Sequence, residues 1–182
     1  MRIIAGKYKG LKLNEFEYSN IRPTIDRVRE SIFNKLQFNI NGANVLDLFG
    51  GTGAVSLEFV SRYAGNVVTV DNNPNSVKLI RENFAKAKLK PNLLEMDYMT
   101  ALKKLSKDGC RFDIIFLDPP YATDFGENAI NYIFENGLLN PDGIVVFEHS
   151  LGKNIENTDK LKIVDERKYG TVQVSFIGCN NG

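Results

Sequence analysis

The chain has 182 residues, enough for one hydrophobic core, and 43% hydrophobic with 25% charged residues is globular composition that excludes a disordered chain. No stretch reaches the ~20 consecutive apolar residues of a membrane helix, and no signal-peptide pattern opens the sequence, so a cytoplasmic protein is expected. The net charge of +1 conceals an asymmetry: residues 1 to 40 carry eight basic side chains against four acidic ones, which suits a phosphate backbone or an ordinary solvated face.

Residues 2 to 13 contain several β-formers with Gly6 and Gly10 and fit a short ribbon. Arg22-Pro23 favours an extended approach, Thr24 can cap a helix, and Val28, Ile32, Phe33 and Leu36 form its apolar stripe. The stripe must pack inward, which leaves Arg27 and Arg29 for the opposite face. With Arg2, Lys7, Lys9, Arg22 and Thr24 they are candidate nucleic-acid contacts on a basic extension, residues 1 to 38, packed on a core domain of residues 39 to 182.

From residue 44 onward, apolar runs alternate with helical patterns, predicting a parallel sheet wound with crossover helices. Strands are expected at 44 to 48, 66 to 70, 92 to 96, 112 to 117 and 143 to 148, and helices at 54 to 63, 98 to 106 and 126 to 136. A further crossover helix opens with Pro74 and carries Val77, Ile80, Phe84 and Ala87 on one face. Residues 161 to 167 and 171 to 177 flank Lys168-Tyr169-Gly170 and read as an antiparallel hairpin. Cys110 and Cys179 lack CxxC spacing and read as packing residues, with neither a disulfide nor a metal site expected.

Asp47-Leu48-Phe49-Gly50-Gly51-Thr52-Gly53 follows the first strand. Gly50, Gly51 and Gly53 let the backbone approach a ligand, and the helix beyond offers free N–H groups at its N-terminus. Asp71, followed by Asn72, ends the second strand 20 residues after Gly51, where a carboxylate can accept from both hydroxyls of a ribose. The dinucleotide fingerprint wants a third glycine or alanine where position 56 is Ser, and no Walker lysine is present. A cofactor with a ribose and no pyrophosphate fits better, and S-adenosylmethionine is the common one. Asp97 and Tyr98, past the third strand, reach the same sheet edge; Asp97 can receive an adenine amino group or cap the helix behind it.

Asp118-Pro119-Pro120-Tyr121 follows the apolar strand 112 to 117. The prolines remove two backbone donors and stiffen the turn. What remains is a set of acceptors, the Asp118 carboxylate and the Pro119 carbonyl, beside a Tyr121 ring able to stack on a base. An exocyclic amine of a base needs such acceptors, because its lone pair is delocalised until two N–H bonds orient it toward an electrophile. The proton leaves after transfer, toward the nearby carboxylate. Asp-Pro-Pro can also be a plain turn, and Glu148 and His149 read as strand-end residues without a catalytic partner.

Over nearly its whole length the chain resembles the RsmD family of small-subunit ribosomal RNA guanine-N2 methyltransferases. Arg2-Ile-Ile-Ala-Gly6, Gly10-Leu-Lys-Leu13, Arg22-Pro-Thr, Asp26-Arg-Val-Arg-Glu30 with Phe33-Asn34, the glycine loop and Asp118-Pro-Pro-Tyr121 carry the resemblance. It implies an α/β, Rossmann-like class I S-adenosylmethionine-dependent fold: a mostly parallel seven-stranded sheet with a C-terminal antiparallel hairpin. S-adenosylmethionine would be held by Asp47, Gly50, Gly51, Thr52, Gly53, Asp71, Asn72, Asp97 and Tyr98, and the guanine by Asp118, Pro119, Pro120 and Tyr121. The implied partner is 16S rRNA, within the small ribosomal subunit, acted on by a monomer without metal. Family members often have Phe where this chain has Tyr121, and the Tyr keeps open an adenine-N6 methyltransferase on RNA or DNA. A noncatalytic RNA-binding assembly factor is the reading from a different class.

Overall fold

Seven strands form one sheet in the computed structural model, which describes residues 1 to 17 and 23 to 181, the side chains of 23 to 25 excepted. The elements run α1 (Pro23–Leu36), β1 (Asn44–Asp47), α2 (Ala54–Ser61), β2 (Asn66–Val70), α3 (Pro74–Lys86), β3 (Asn92–Leu94), α4 (Tyr98–Lys107), β4 (Phe112–Leu117), α5 (Phe125–Glu135), β5 (Leu139–Ser150), β6 (Leu161–Tyr169) and β7 (Val172–Cys179). The strand order is β3-β2-β1-β4-β5-β7-β6. The first five strands are parallel, while β7 runs antiparallel to both β5 and β6. The chain winds outward from β1 to β3, then returns to β4 on the other side of β1, so the direction of winding reverses between β1 and β4.

The central strands are Val/Ile/Leu runs because both of their faces are covered. Ile115 and Leu117 of β4 pack with Leu102, Leu105, Ile130 and Ile133 of α4 and α5. Ile114 and Phe116 face the other way, onto Val28, Ile32, Phe33 and Leu36 of α1. The expected apolar stripe of that helix is therefore a main component of the second layer. Cys110 and Cys179 are free thiols packed against the first layer. Among the described residues no helix is long and apolar enough to cross a membrane.

One strand starts earlier than expected, and the N-terminal ribbon is short. Strand β5 begins at Leu139, and a register shift between the pairs Phe112↔Leu139 and Ile114↔Ile144 absorbs the polar residues between them. The N-terminal ribbon reduces to one bridge, Arg2↔Lys12. Ile3 and Leu13 N–H close the ribbon onto Leu11 O and Met1 O (3.1 and 3.0 Å), while Ile4 and Ala5 N–H donate to Glu58 Oε2 and Oε1 (2.8 and 3.1 Å) and Tyr8 N–H donates to Ser61 Oγ (2.9 Å) of α2. Gly6, at φ +83°, passes so close that a Cβ would lie 1.9 Å from the Ser61 carbonyl oxygen. Glu58 is fully buried and also holds Arg62 Nε at 2.8 Å.

One buried carboxylate thus satisfies two backbone donors and a cation. Glu58→Ala leaves all three without it and is expected to lower stability by about 3 kcal/mol in urea unfolding. A loss below about 1 kcal/mol would show that the N-terminal segment is held by other contacts.

Candidate active site

The loops after β1, β2, β3 and β4 emerge together at the carboxyl edge of the sheet. Gly50 N–H donates to Val70 O (2.8 Å), and a Cβ at Gly50 would sit 2.6 Å from Thr69 Cγ2, so only glycine lets the loop lie this close to β2. Gly51 N–H donates to Asp71 Oδ2 (2.9 Å) and Asn73 N–H to Asp71 Oδ1 (2.8 Å), which fixes the Asp71 carboxylate against the glycine loop. Asn73 then caps α3 through Asn75 N–H (2.9 Å).

Beneath this loop Asp47 is fully buried and lines neither of the cavities described below. Its Oδ2 accepts from Ser56 Oγ (2.7 Å), and among the described residues Oδ1 has no partner. Burial pushes its carboxyl up to about 6 against the opposing Ser56 bond. Asp47 supports the turn from below. Gly53 is the N-cap residue of α2 and likewise lines neither cavity.

A cavity of about 460 Å³ is lined by Asp71, Asn72, Asp97, Tyr98, Pro119 and Phe125, among others. Tyr98 stacks on Phe125 with centroids 4.9 Å apart and tilts against Phe49 at 5.4 Å, giving one wall an aromatic surface. Asp97 caps α4, since its Oδ2 accepts from Met99 and Thr100 N–H (2.9 and 3.2 Å), and it remains exposed to the cavity. Both anticipated roles for this residue are compatible with its position.

A second cavity of about 950 Å³ adjoins the first and shares Phe49, Gly51, Asp118 and Tyr121 with it. Asp118 sits at the junction. Pro119 is buried, whereas Pro120 and the Tyr121 ring are exposed. Sequence reasoning did not single out Glu148, Tyr169, Phe49 or Phe125 for the site. Glu148 lines the larger cavity beside Asp118, and its place at the end of the neighbouring strand was the available signal. Tyr169, hydrogen-bonded to Ser31, lines it from the hairpin. His149 is buried behind, bonded through Nε2 to Ser175 Oγ (2.8 Å), and lines neither cavity.

Desolvation raises the Asp118 carboxyl well above its ordinary value, and Glu148 and then Asp47 raise it further; the surface Asp118 exposes faces the cavities. Glu148 is itself pushed up by burial to about 7.

Of the basic residues, Arg2, Lys7, Lys9 and Arg27 are exposed, although Arg2 Nη1 also donates to Gly10 O (3.1 Å). Arg22 and the side chain of Thr24 lie outside the described residues. Arg29 departs from its expected surface position: it is 6% exposed and lines the larger cavity. The reason is helical spacing, because Arg29 precedes Ile32, Phe33 and Leu36 by three, four and seven positions and shares their inward face. Its Nη2 donates to Arg2 O (2.6 Å) and Asp26 Oδ1 (3.3 Å), while among the described residues Nε and Nη1 have no acceptor.

A carboxyl with a raised pKa is protonated below that value and then loses its acceptor. Turnover that uses Asp118 as an acceptor is expected to fall as pH drops through the raised range of its carboxyl, and Glu148 beside it gains its own proton at about 7. The measurement is a pH–rate profile with cofactor saturating; a profile flat down to about pH 5 would contradict this electrostatic description.

The family described as Conserved hypothetical protein 95 matches residues 1–178 of this chain. The ribosomal RNA small subunit methyltransferase D of Haemophilus influenzae is 30% identical over 174 residues, covering 94% of this chain and 90% of that protein. The protein of the same name from Escherichia coli K12 is 34% identical over 148 residues, covering 81% of this chain and 74% of that one. The solved structure of Escherichia coli yhhF superposes with a TM-score of 0.86 at 29% identity, covering 100% of this chain and 99% of that one. With the glycine loop, Asp71, Asp97 and Asp118 gathered on one sheet edge, this chain belongs to the ribosomal RNA small subunit methyltransferase D family.

Proposed function

We propose that this chain transfers the methyl group of S-adenosylmethionine to the exocyclic N2 of a guanine in 16S rRNA, acting in the cytoplasm as a monomer on the small ribosomal subunit. The observation that carries this reading is the meeting of two cavities at Asp118, one lined by Asp71, Asn72, Asp97 and Tyr98 and the other by Arg29, Tyr121 and Glu148.

The residues present fit the cofactor. Asp71 offers carboxylate lone pairs to ribose hydroxyls, Asp97 an acceptor to the adenine amine, and Tyr98 and Phe125 a flat apolar surface. The unpartnered Nε and Nη1 of buried Arg29 suit the carboxylate at the methionine end. When bound, S-adenosylmethionine supplies a methyl group activated on a sulfonium. Asp118 and the Pro119 carbonyl accept the two N–H bonds of the guanine amine and turn its lone pair toward that methyl. Asp118 then stabilises the positive nitrogen and takes its proton. Tyr121 stacks on the base, a contact of roughly 1 to 3 kcal/mol. The guanine must be unpaired or flipped, since an RNA duplex does not present a base edge to a pocket. Exposed Lys7, Lys9 and Arg27 contribute phosphate contacts in this reading, from the N-terminal segment and α1.

Transfer of labelled methyl to small subunits lacking the modification, followed by nucleoside mass spectrometry, tests the reading. N2-methylguanosine is expected; N6-methyladenosine would overturn the base, and no labelled nucleoside the acceptor. Asp118→Ala is expected to keep calorimetric cofactor affinity and lose on the order of 10² to 10³ in rate. Asp71→Ala is expected chiefly to weaken cofactor binding. Equal losses of affinity in the two variants would contradict these roles.

A further inference from the structure

Two carboxyls open into the larger cavity, and the transfer just described uses one of them. Asp118 directly follows β4, Glu148 lies on β5, and the register of Leu117 against Phe147 sets them side by side on neighbouring parallel strands. Such strands lie ~4.8 Å apart, so both side chains can reach one edge of one base. Among the described residues neither carboxyl receives a hydrogen bond. The cavity therefore presents two acceptors without donors, with the exposed Tyr121 ring beside them.

A base that satisfies both must offer two adjacent donors. Guanine does so on its Watson–Crick edge, with the ring N1–H next to the exocyclic N2 amine. Adenine offers an amine next to a ring nitrogen that is itself an acceptor, and a second carboxylate there meets lone pair with lone pair. A site built to bond a given donor discriminates strongly against a base that lacks it, because its own buried group is then left unpaired.

We propose that Glu148 accepts the N1–H of the target guanine while Asp118 and the Pro119 carbonyl hold the N2 amine, which makes Glu148 the residue that selects guanine over adenine. This rests on the guanine-N2 reading of the same site. The N1–H bond is not broken; its polarisation toward Glu148 pushes electron density through the ring to the N2 amine and aids its attack. Burial raises both carboxyls, and the neighbouring Glu148 raises Asp118 further. Asp47 adds to that effect on Asp118 from below, and Arg29 is the cation lining the same cavity. A base with two donors favours ionisation of both carboxyls, whereas a base with one favours it at Asp118 alone.

The test compares guanine with 2,6-diaminopurine at the modified position of 16S rRNA reconstituted into small subunits, at pH 8.5. Diaminopurine keeps the N2 amine and has a bare N1. The wild-type enzyme is expected to prefer guanine on the order of 10- to 100-fold in kcat/KM for transfer to N2. Glu148→Gln, whose amide can donate to a bare N1, is expected to collapse that ratio toward unity. Glu148→Asp keeps the carboxylate and is expected to retain the preference at a lower rate. Cofactor affinity by calorimetry, unchanged, certifies that the variants fold. Equal loss on both bases in Glu148→Gln, or a lost preference in Glu148→Asp, would mark Glu148 as structural and overturn the inference. An unchanged ratio in Glu148→Gln overturns it too, leaving the guanine-N2 reading standing. Absence of N2-methylguanosine from the wild-type reaction would overturn that reading and this inference with it.

Discussion

The adjacency of β1 and β4 is the constraint on which the rest of the site depends. Winding reverses there, so the loops that leave these two strands have no crossover helix between them and can form one continuous pocket wall. The glycine loop follows β1 and the Asp-Pro-Pro loop follows β4, which brings Gly51 and Asp118 to the same two cavities without any long-range loop rearrangement. The strands themselves are buried on both faces, so the positions of their last residues are set by close packing. The glycine loop and the Asp-Pro-Pro loop are thus registered to each other by sheet geometry.

That edge is strongly acidic. Asp71, Asp97, Asp118 and Glu148 line the cavities, with Asp47 beneath them, and burial holds Asp118 and Glu148 at raised pKa values, with repulsion from Glu148 adding at Asp118. Helices α2, α3 and α4 begin at the same edge, so their N-terminal dipoles offset part of the repulsion. A family that handles a sulfonium donor and releases a proton gains from this arrangement. Positive charge is favoured at the junction of the cavities.

How much of this was legible in the sequence follows from which interactions are local. Strands β1, β2 and β4 were readable because each is an apolar run closed by a motif with its own turn chemistry, and α3 because Pro74 and its apolar spacing agree. The start of β5 was not, because residues 140 to 143 look like a loop and are absorbed by a register shift only β4 can reveal. The N-terminal ribbon was readable from its β-formers and glycines, but its docking was not, because Ile4, Ala5 and Tyr8 N–H are satisfied by Glu58 and Ser61, 53 or 54 positions away. Arg29 was legible in the helical period, yet its charge argued for the surface. Glu148 could not be placed until strand register set it beside Asp118.

The N-terminal segment is an integral wall of the site. Helix α2 begins at the glycine loop and, through Glu58 and Ser61, holds the backbone of residues 4 to 8. Asn83 ties the same segment to the loop a second time, since its Nδ2 donates to both Asn14 O (3.0 Å) and Thr52 O (2.8 Å). Arg29 closes the circuit by donating to Arg2 O (2.6 Å) while lining the larger cavity. Burial lowers the pKa of its guanidinium, with Asp26 providing the largest opposing influence. An anion arriving beside Nε and Nη1 would offset that desolvation, and the benefit would pass to every contact that keeps Arg29 in place.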